Sequence, residues 1–262
     1  MKSRGLLSVL SFSEKRESIL FFLFNRPRTL AEIKNQLNVT SPEVLPRIKE
    51  METNNLIYKE NKNYMLTPIG KVVVKLFQPL VNTLHVIDEN KKFWERHMVE
   101  AIPQHLLERI GELGNCRLAE NRTENIYEPH SLFLESLSKS KKVMGISPVL
   151  HPLYPQFFLQ LAESGKNVSI ILTGEVFNRI KSEYTDILQK FLTIRNAQLY
   201  VSDEDIRLAC GVTECFFSIS LFFNNGGYDS QKDLVSFDHS AVKWGEELFD
   251  HFLKNSKEIK NL

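Results

Sequence analysis

Cysteine is scarce in this chain. The three present, Cys116, Cys210 and Cys215, form no C-x-x-C pair and have no histidine at ligand spacing. That excludes a disulfide framework and a zinc site, and no metal ion or cofactor is expected. Long apolar runs are lacking too. The strongest, ILFFLF at 19–24 and CFFSISLFF at 215–223, fall far short of the roughly 20 residues that span a bilayer, and the N-terminus lacks the layout of a signal peptide. A cytoplasmic protein with no membrane partner is expected.

Catalytic signatures are also missing. The chain contains no G-x-x-x-x-G-K-[ST], G-x-G-x-x-G, H-E-x-x-H or G-x-S-x-G. No histidine is followed two residues later by lysine, so the H-x-K core of a phospholipase-D-like nucleophile is absent. Gly226-Gly227 lies between strand-like runs and fits a turn better than a phosphate cradle. No catalytic residue is assigned, and the chain is not expected to be an enzyme.

What is present is a DNA-reading pattern over 29–67. Leu30, Ile33 and Leu37 make one apolar stripe on a first helix, and Asn38-Val39 turns the chain. Thr40 and Glu43 form a T-x-x-E capping box with Pro42 in the first turn, so a second helix starts near Ser41. Its Val44, Leu45, Ile48 and Glu52 fall in one sector; Glu43, Pro46, Arg47, Glu50 and Asn54 fall opposite and are expected to face a DNA groove. Leu56–Lys59 and Tyr64–Thr67 read as two strands around the tip Glu60–Asn63, which makes a wing.

The expected partner is double-stranded DNA. Arg47, with its planar fork, is the candidate for a guanine edge, Thr40 and Ser41 suit phosphate at the helix start, and Lys49, Lys59, Lys62 and Arg28 complete the set. Pro46 and two glutamates on the same face argue for few base contacts. Charge is distributed to match: residues 1–77 hold 13 Lys and Arg against 7 Asp and Glu, a net of +6, which leaves 20 against 25, or −5, for the remainder. A basic head suits counterion release from DNA, and an acidic remainder is repelled by it.

Around the motif, SEKRESILFFLFN at 13–25 reads as a capped helix whose Ile19, Leu20, Leu23 and Phe24 cover the helix pair. After the wing, a long helical run interrupted by Pro79 carries Val72, Val73, Leu76, Phe77, Leu80, Val81, Leu84 and Ile87 as a wide stripe. Either a second copy of the chain or the C-terminal part could cover it; a homodimer would suit reading of two half-sites.

From Ile102 the pattern becomes α/β. Strands are expected at 142–146, 168–172, 198–202, 207–212, 215–221 and 233–237, with helices near 128–140, 154–164, 175–181, 184–192 and 239–254. The order implies a mixed sheet. The expected fold class is α+β / α/β: a winged helix-turn-helix over 1–78, a linker or dimerisation helix over 79–100, and a mixed-sheet α/β sensor domain over 101–262. Polar residues at strand ends, where open sheets bind ligands, are the pocket candidates: His151, Tyr154, Thr173, Glu175, Thr213, Asp229 and Asp233, with Glu214 beside Thr213. Each also suits a cap or a turn.

FWERHMVEAIPQHLLERIGELGNC from Phe93, KVMGISPVLHPLYPQFF from Lys142, VSIILTGEVF from Val168, DLVSFDHSAVKWGEELFDHFLKNSKEI from Asp233 and SPEVLPRIKEMETNNLI from Ser41 carry a resemblance over nearly the whole chain. They resemble the archaeal winged-helix regulators named after the methanogenesis regulatory protein, related to archaeal sugar-sensing regulators. The resemblance implies a DNA-binding transcription factor whose sensing domain is similar to a phospholipase-D-like fold without its catalytic pair. It implies no general effector, so the small-molecule partner stays unknown. Two other readings remain: a protein-interaction module using the acidic Glu43 and Glu50 face, and an enzyme using Asp229, Asp233 or His151.

Overall fold

The computed structural model describes residues 5–11, 13–120 and 131–262, with only the backbone at Ser131. They fall into two compact units, one ending at Val81 and the other beginning at Asn82.

In the first unit, α1 (Leu6–Ser11), α2 (Glu14–Asn25), α3 (Leu30–Leu37) and α4 (Ser41–Thr53) surround a core of Val9, Ile19, Leu20, Leu23, Ile33, Val44, Ile48 and Met51. Ser13 caps α2 by accepting from the Arg16 N–H. β1 (Arg28–Thr29), β2 (Ile57–Glu60) and β3 (Asn63–Leu66) form a three-stranded antiparallel sheet in the order β1-β3-β2. Asn61 and Lys62 both sit at positive φ, 47° and 73°, the geometry that lets a two-residue turn follow the strand twist.

Several expectations are corrected here. The apolar sector of α4 is rotated: Met51 is buried, while Leu45 and Glu52 are exposed, because the face that meets α2 runs through Val44, Ile48 and Met51 at spacings of four and three. Phe24 is exposed at the end of α2, while Val9 and Leu10 of α1 are buried in the core. Pro79 does not interrupt the helix after the wing, since α5 runs from Pro68 to Glu89 around it. Gly70 lets that helix start close to the wing: a Cβ there would lie 2.0 Å from the Leu56 carbonyl oxygen.

The second unit continues with α6 (Lys91–Arg96), a short helix α7 (Gln104–Leu107) and an eight-stranded sheet. Its strands are β4 (Arg117–Glu120), β5 (Lys142–Ser147), β6 (Asn167–Thr173), β7 (Ala197–Ser202), β8 (Leu208–Thr213), β9 (Phe217–Leu221), β10 (Lys232–Ser236) and β11 (Ser256–Glu258), in the order β11-β7-β6-β5-β8-β9-β10-β4. β5, β6 and β7 are parallel, joined through α9 (Tyr154–Glu163) and then α10 (Gly174–Glu183) and α11 (Thr185–Thr193). The other neighbours are antiparallel. The sheet is mixed because βαβ crossovers build one half and hairpins the other. The helix expected from Glu128 is described from Ser131, as α8 (Ser131–Lys139); 128–130 lie outside the described residues.

One face of this sheet packs on α12 (His239–Leu253) and the segment around α7, with Trp244, Leu248, Leu106 and Phe93 in the core. Trp244 Nε1 donates to the Leu106 carbonyl at 2.9 Å. The opposite face packs under α9, α10 and α11 through Leu159, Val176, Leu188 and Phe191. Among the described residues, no helix is long and apolar enough to cross a membrane.

Candidate functional site

Capping fixes the starts of α2, α3 and α4 in the first unit. Thr29 donates its N–H and hydroxyl to one Glu32 oxygen at 2.8 and 2.9 Å, and the Glu32 N–H returns to the Thr29 hydroxyl at 3.2 Å. The Thr29 N–H, then the Thr29 hydroxyl, then Arg26 at 2.8 Å hold the Glu32 carboxyl down to about 2. At α4, Thr40 donates its N–H and hydroxyl to Glu43 at 2.8 and 3.0 Å. Thr40 therefore opens the helix with its side chain engaged, and Ser41 is half-buried beside it.

Of the two glutamates expected on the groove face, Glu43 is exposed and Glu50 is half-buried. Glu50 turns back to bond the buried Arg16, and Glu43 also meets Lys15 at 3.4 Å. Arg47 is half-buried, and its guanidinium donates to the Glu43 carbonyl of its own helix. Arg28 lies 4.0 Å over the Phe22 ring and 3.7 Å from Glu32, with its side chain largely covered. Lys49 on the outer face of α4 and Lys59 and Lys62 on the wing are exposed. Leu45 and Pro46, just ahead of Lys49 on α4, are exposed as well.

In the second unit a cavity of about 200 Å³ opens against the sheet face under α8 and α9. Strand alternation explains it. In β8 and β9, Leu208, Cys210, Val212, Phe217, Ile219 and Leu221 point to the α12 core, which leaves Ala209, Gly211, Ser218 and Ser220 for the other side. Gly145 of β5 continues this small-residue floor, and Asp233 of β10 stands at its edge. Space is left because these side chains are too short to meet the helices. A Cβ on Gly211 would come within 2.4 Å of the Phe133 ring.

The cavity is polar at one end. The Ser220 hydroxyl donates to Asp233, and Tyr228 lines the same end. Burial, followed by the nearby Asp233, raises the Tyr228 hydroxyl above its ordinary value, and burial does the same for Tyr154. Both stay protonated near neutrality and can donate or accept.

Of the expected pocket residues, His151, Tyr154 and Asp233 line this cavity together. The others lie elsewhere. Thr173 accepts from the Val176 N–H as the cap of α10, and with the exposed Glu175 it borders a separate, more open hollow of about 590 Å³ beside Asp203 and Arg207. Thr213 accepts from the Cys215 N–H in the β8–β9 turn, and Glu214 accepts from the N–H groups of Lys141 and Lys142. Asp229 is buried, bonded to His97 and the Gln231 N–H.

Comparison with known proteins matches residues 4–85 to the N-terminal domain of methanogenesis regulatory protein FilR1, and residues 126–255 to the middle domain of the same protein. The chain belongs to the methanogenesis regulatory protein family. It is 26% identical over 257 residues to methanogenesis regulatory protein FilR1 of Methanothrix harundinacea (strain 6Ac), covering 97% of this chain and 58% of that protein. The chain thus spans somewhat over half the length of the relative it matches. Among solved structures it is similar to TrmBL2, an archaeal chromatin protein, at 14% identity and a TM-score of 0.44, covering 96% of this chain and 97% of that one. A phospholipase D family member, Nuc from Salmonella typhimurium, is similar over 56% of this chain and 99% of that one, at 9% identity and a TM-score of 0.42.

For this family member, reading strand ends missed the floor of the cavity. Gly145, Gly211, Ser218, Ser220 and Tyr228 were not singled out, although the alternation of large and small residues through 208–212 and 217–221 is a sequence signal. The T-x-x-E at Thr29–Glu32 was equally available and repeats the box at Thr40–Glu43.

Proposed function

We propose that this chain is a DNA-binding transcriptional regulator in which residues 1–78 read the duplex, the segment over 79–100, which holds the end of α5 and all of α6, takes part in dimerisation, and residues 101–262 respond to a small molecule. The observation that carries it is the winged helix itself: α4, ordered by a capping box, beside a wing whose Lys59 and Lys62 are exposed. Family membership supports the regulatory role.

Lys49, Lys59 and Lys62 meet phosphate in this reading, and Thr40 and Ser41 place the helix start near the backbone. Arg47 reaches a base only by leaving its own helix carbonyl, and Arg28 serves mainly to hold the wing against α2. The protein-interaction alternative loses part of its support, because Glu50 is already paired with the buried Arg16. A homodimer is supported by α5, where Ile69, Val72, Leu76, Leu80, Leu84 and Ile87 leave an exposed stripe at spacings of three and four. The effector site is the cavity of His151, Tyr154 and Asp233. A mobility-shift assay with fragments of the promoters nearest its own gene tests the core of this reading; absence of any complex at low and moderate salt would end it.

A further inference from the structure

We infer that Asn225 is a site of spontaneous covalent modification: the Gly226 amide nitrogen attacks its side-chain carbonyl, ammonia leaves, and isoaspartate or aspartate remains between β9 and β10. The Gly226-Gly227 pair, which makes no phosphate cradle, thereby has a chemistry of its own.

Asn225-Gly226 is the single Asn-Gly pair in the sequence. Local geometry favours ring closure there. Residues 224–227 are exposed, so water and hydroxide reach them. Gly226, at φ +88°, carries no Cβ to crowd its nitrogen, and nothing lies within 4 Å of where one would stand. The Asn225 Oδ1 accepts from the Gly227 N–H at 3.0 Å, an Asx turn that folds the side chain over the intervening Gly226 nitrogen and polarises its carbonyl. One contact opposes the reaction. The Gly226 N–H donates to the Phe223 carbonyl at 2.8 Å, and giving up that bond costs about fivefold in rate.

Asn224 supplies the contrast. It is equally exposed, but the next residue carries a side chain, its own N–H donates to the Arg96 carbonyl at 2.9 Å, and its Nδ2 donates to the Glu95 carbonyl at 3.1 Å. Both its backbone and its leaving group are tied to the end of α6.

The step balances without an oxidant or a cofactor. Hydroxide takes the Gly226 amide proton, the nitrogen bonds to Asn225 Cγ, and the Cγ–Nδ2 bond breaks, with Nδ2 leaving as ammonia after taking a proton from water. Water then opens the cyclic imide. Opening at Cγ gives aspartate; opening at the main-chain carbonyl gives isoaspartate, in which the chain runs through Cβ and Cγ and is one carbon longer. That extra carbon falls inside the turn closed by the Phe223 N–H on the Gly227 carbonyl at 2.7 Å. Phe223 stacks on His97 and Asp229 bonds it, so the residues on both sides of the lengthened turn hold the same histidine.

The test is incubation of the full chain over days at neutral and at mildly alkaline pH, with mass spectrometry of the tryptic peptide 208–232 against a sample taken at the start. Asn225 is expected to convert, faster in proportion to hydroxide, while Asn224 in the same peptide stays intact. A synthetic peptide of residues 222–231, free of the folded turn, should convert about fivefold faster than the chain. Protein isoaspartyl methyltransferase should label the aged chain and not Asn225→Gln, whose longer side chain would have to close a larger ring. Urea unfolding followed by Trp94 and Trp244 should show an earlier midpoint for the aged chain, with Asn225→Asp matching the fresh one. An intact Asn225 in the folded chain while the peptide converts, or conversion at Asn224 equal to that at Asn225, overturns the site. Equal midpoints for aged and fresh chains overturn its effect on the turn.

Discussion

His97 and Asp229 form a buried pair, Nε2 to carboxylate at 3.1 Å, that ties the end of α6 to the segment between β9 and β10. His97 Nδ1 contacts the Phe93 carbonyl at 2.7 Å, and its ring is stacked between Phe93 and Phe223. With partners on both nitrogens and rings on both faces, His97 has little freedom to move. Asp229→Ala is expected to destabilise the second unit by about 3–5 kcal/mol, since it leaves a buried partner uncompensated. Urea unfolding followed by the fluorescence of Trp94 and Trp244 reads that unit; a loss under about 1 kcal/mol would show that the pair does not hold the segment.

Salt dependence tests the exposed lysines of the first unit. Lys49→Ala, Lys59→Ala and Lys62→Ala should each lower the slope of log affinity against log salt by about one unit, uniformly across DNA sequences. Fluorescence anisotropy on a labelled promoter duplex measures it. An unchanged slope for both wing lysines removes the wing from the interface.

The stripe on α5 makes a prediction about size. Leu76 is 73% exposed, so Leu76→Glu costs the single chain little but places a charge in any apolar seam. Sedimentation should give a dimer for the wild type and a monomer for the variant. A monomeric wild type at tens of micromolar ends the dimer proposal.

Acid should weaken the first unit through its helix caps. The Glu32 carboxyl is held at about 2 in the folded chain against an ordinary 4.5, so its contribution is fully present above 4.5 and disappears as pH falls toward 2. Glu43 is shifted in the same direction, by the Thr40 N–H first. Far-ultraviolet circular dichroism across that window should show less acid sensitivity in Glu32→Gln, which is already weaker at neutral pH. Equal acid profiles for the two proteins would contradict the cap assignment.

Gly70→Ala should destabilise the winged helix by about 1–3 kcal/mol, because its Cβ meets the backbone at Leu56 and not a side chain that could move. Hydrogen exchange at β2 and β3 reports the effect. Protection equal to that of the wild type would mean that α5 can shift without cost.

Legibility followed the range of the forces. The extents of α3 and α4 were readable because caps, Pro42 and apolar spacing are local. Which side of α4 is buried was harder to read: choosing Met51 over Glu52 depends on α2, and the partner of Glu50 lies 34 residues away at Arg16. The six inner strands of the large sheet stood out as apolar runs. β1, β4 and β11 did not, since edge strands of two to four mostly polar residues look like loops. For the site, polar residues near strand ends brought in His151, Tyr154 and Asp233 but also Thr173, Thr213 and Asp229, which cap, turn and pair. Polarity alone does not distinguish a residue that satisfies its own backbone from one that faces a cavity.

The large sheet separates two tasks by side. Its Phe217, Ile219 and Trp244 side carries cohesion, while Gly145, Ala209, Gly211, Ser218 and Ser220 contribute little bulk to either core. Descendants of this sequence could therefore exchange Ala209, Ser218 and Ser220, and with them the outline of the cavity, while the α12 core beneath stays intact and the Phe133 ring keeps position 211 a glycine.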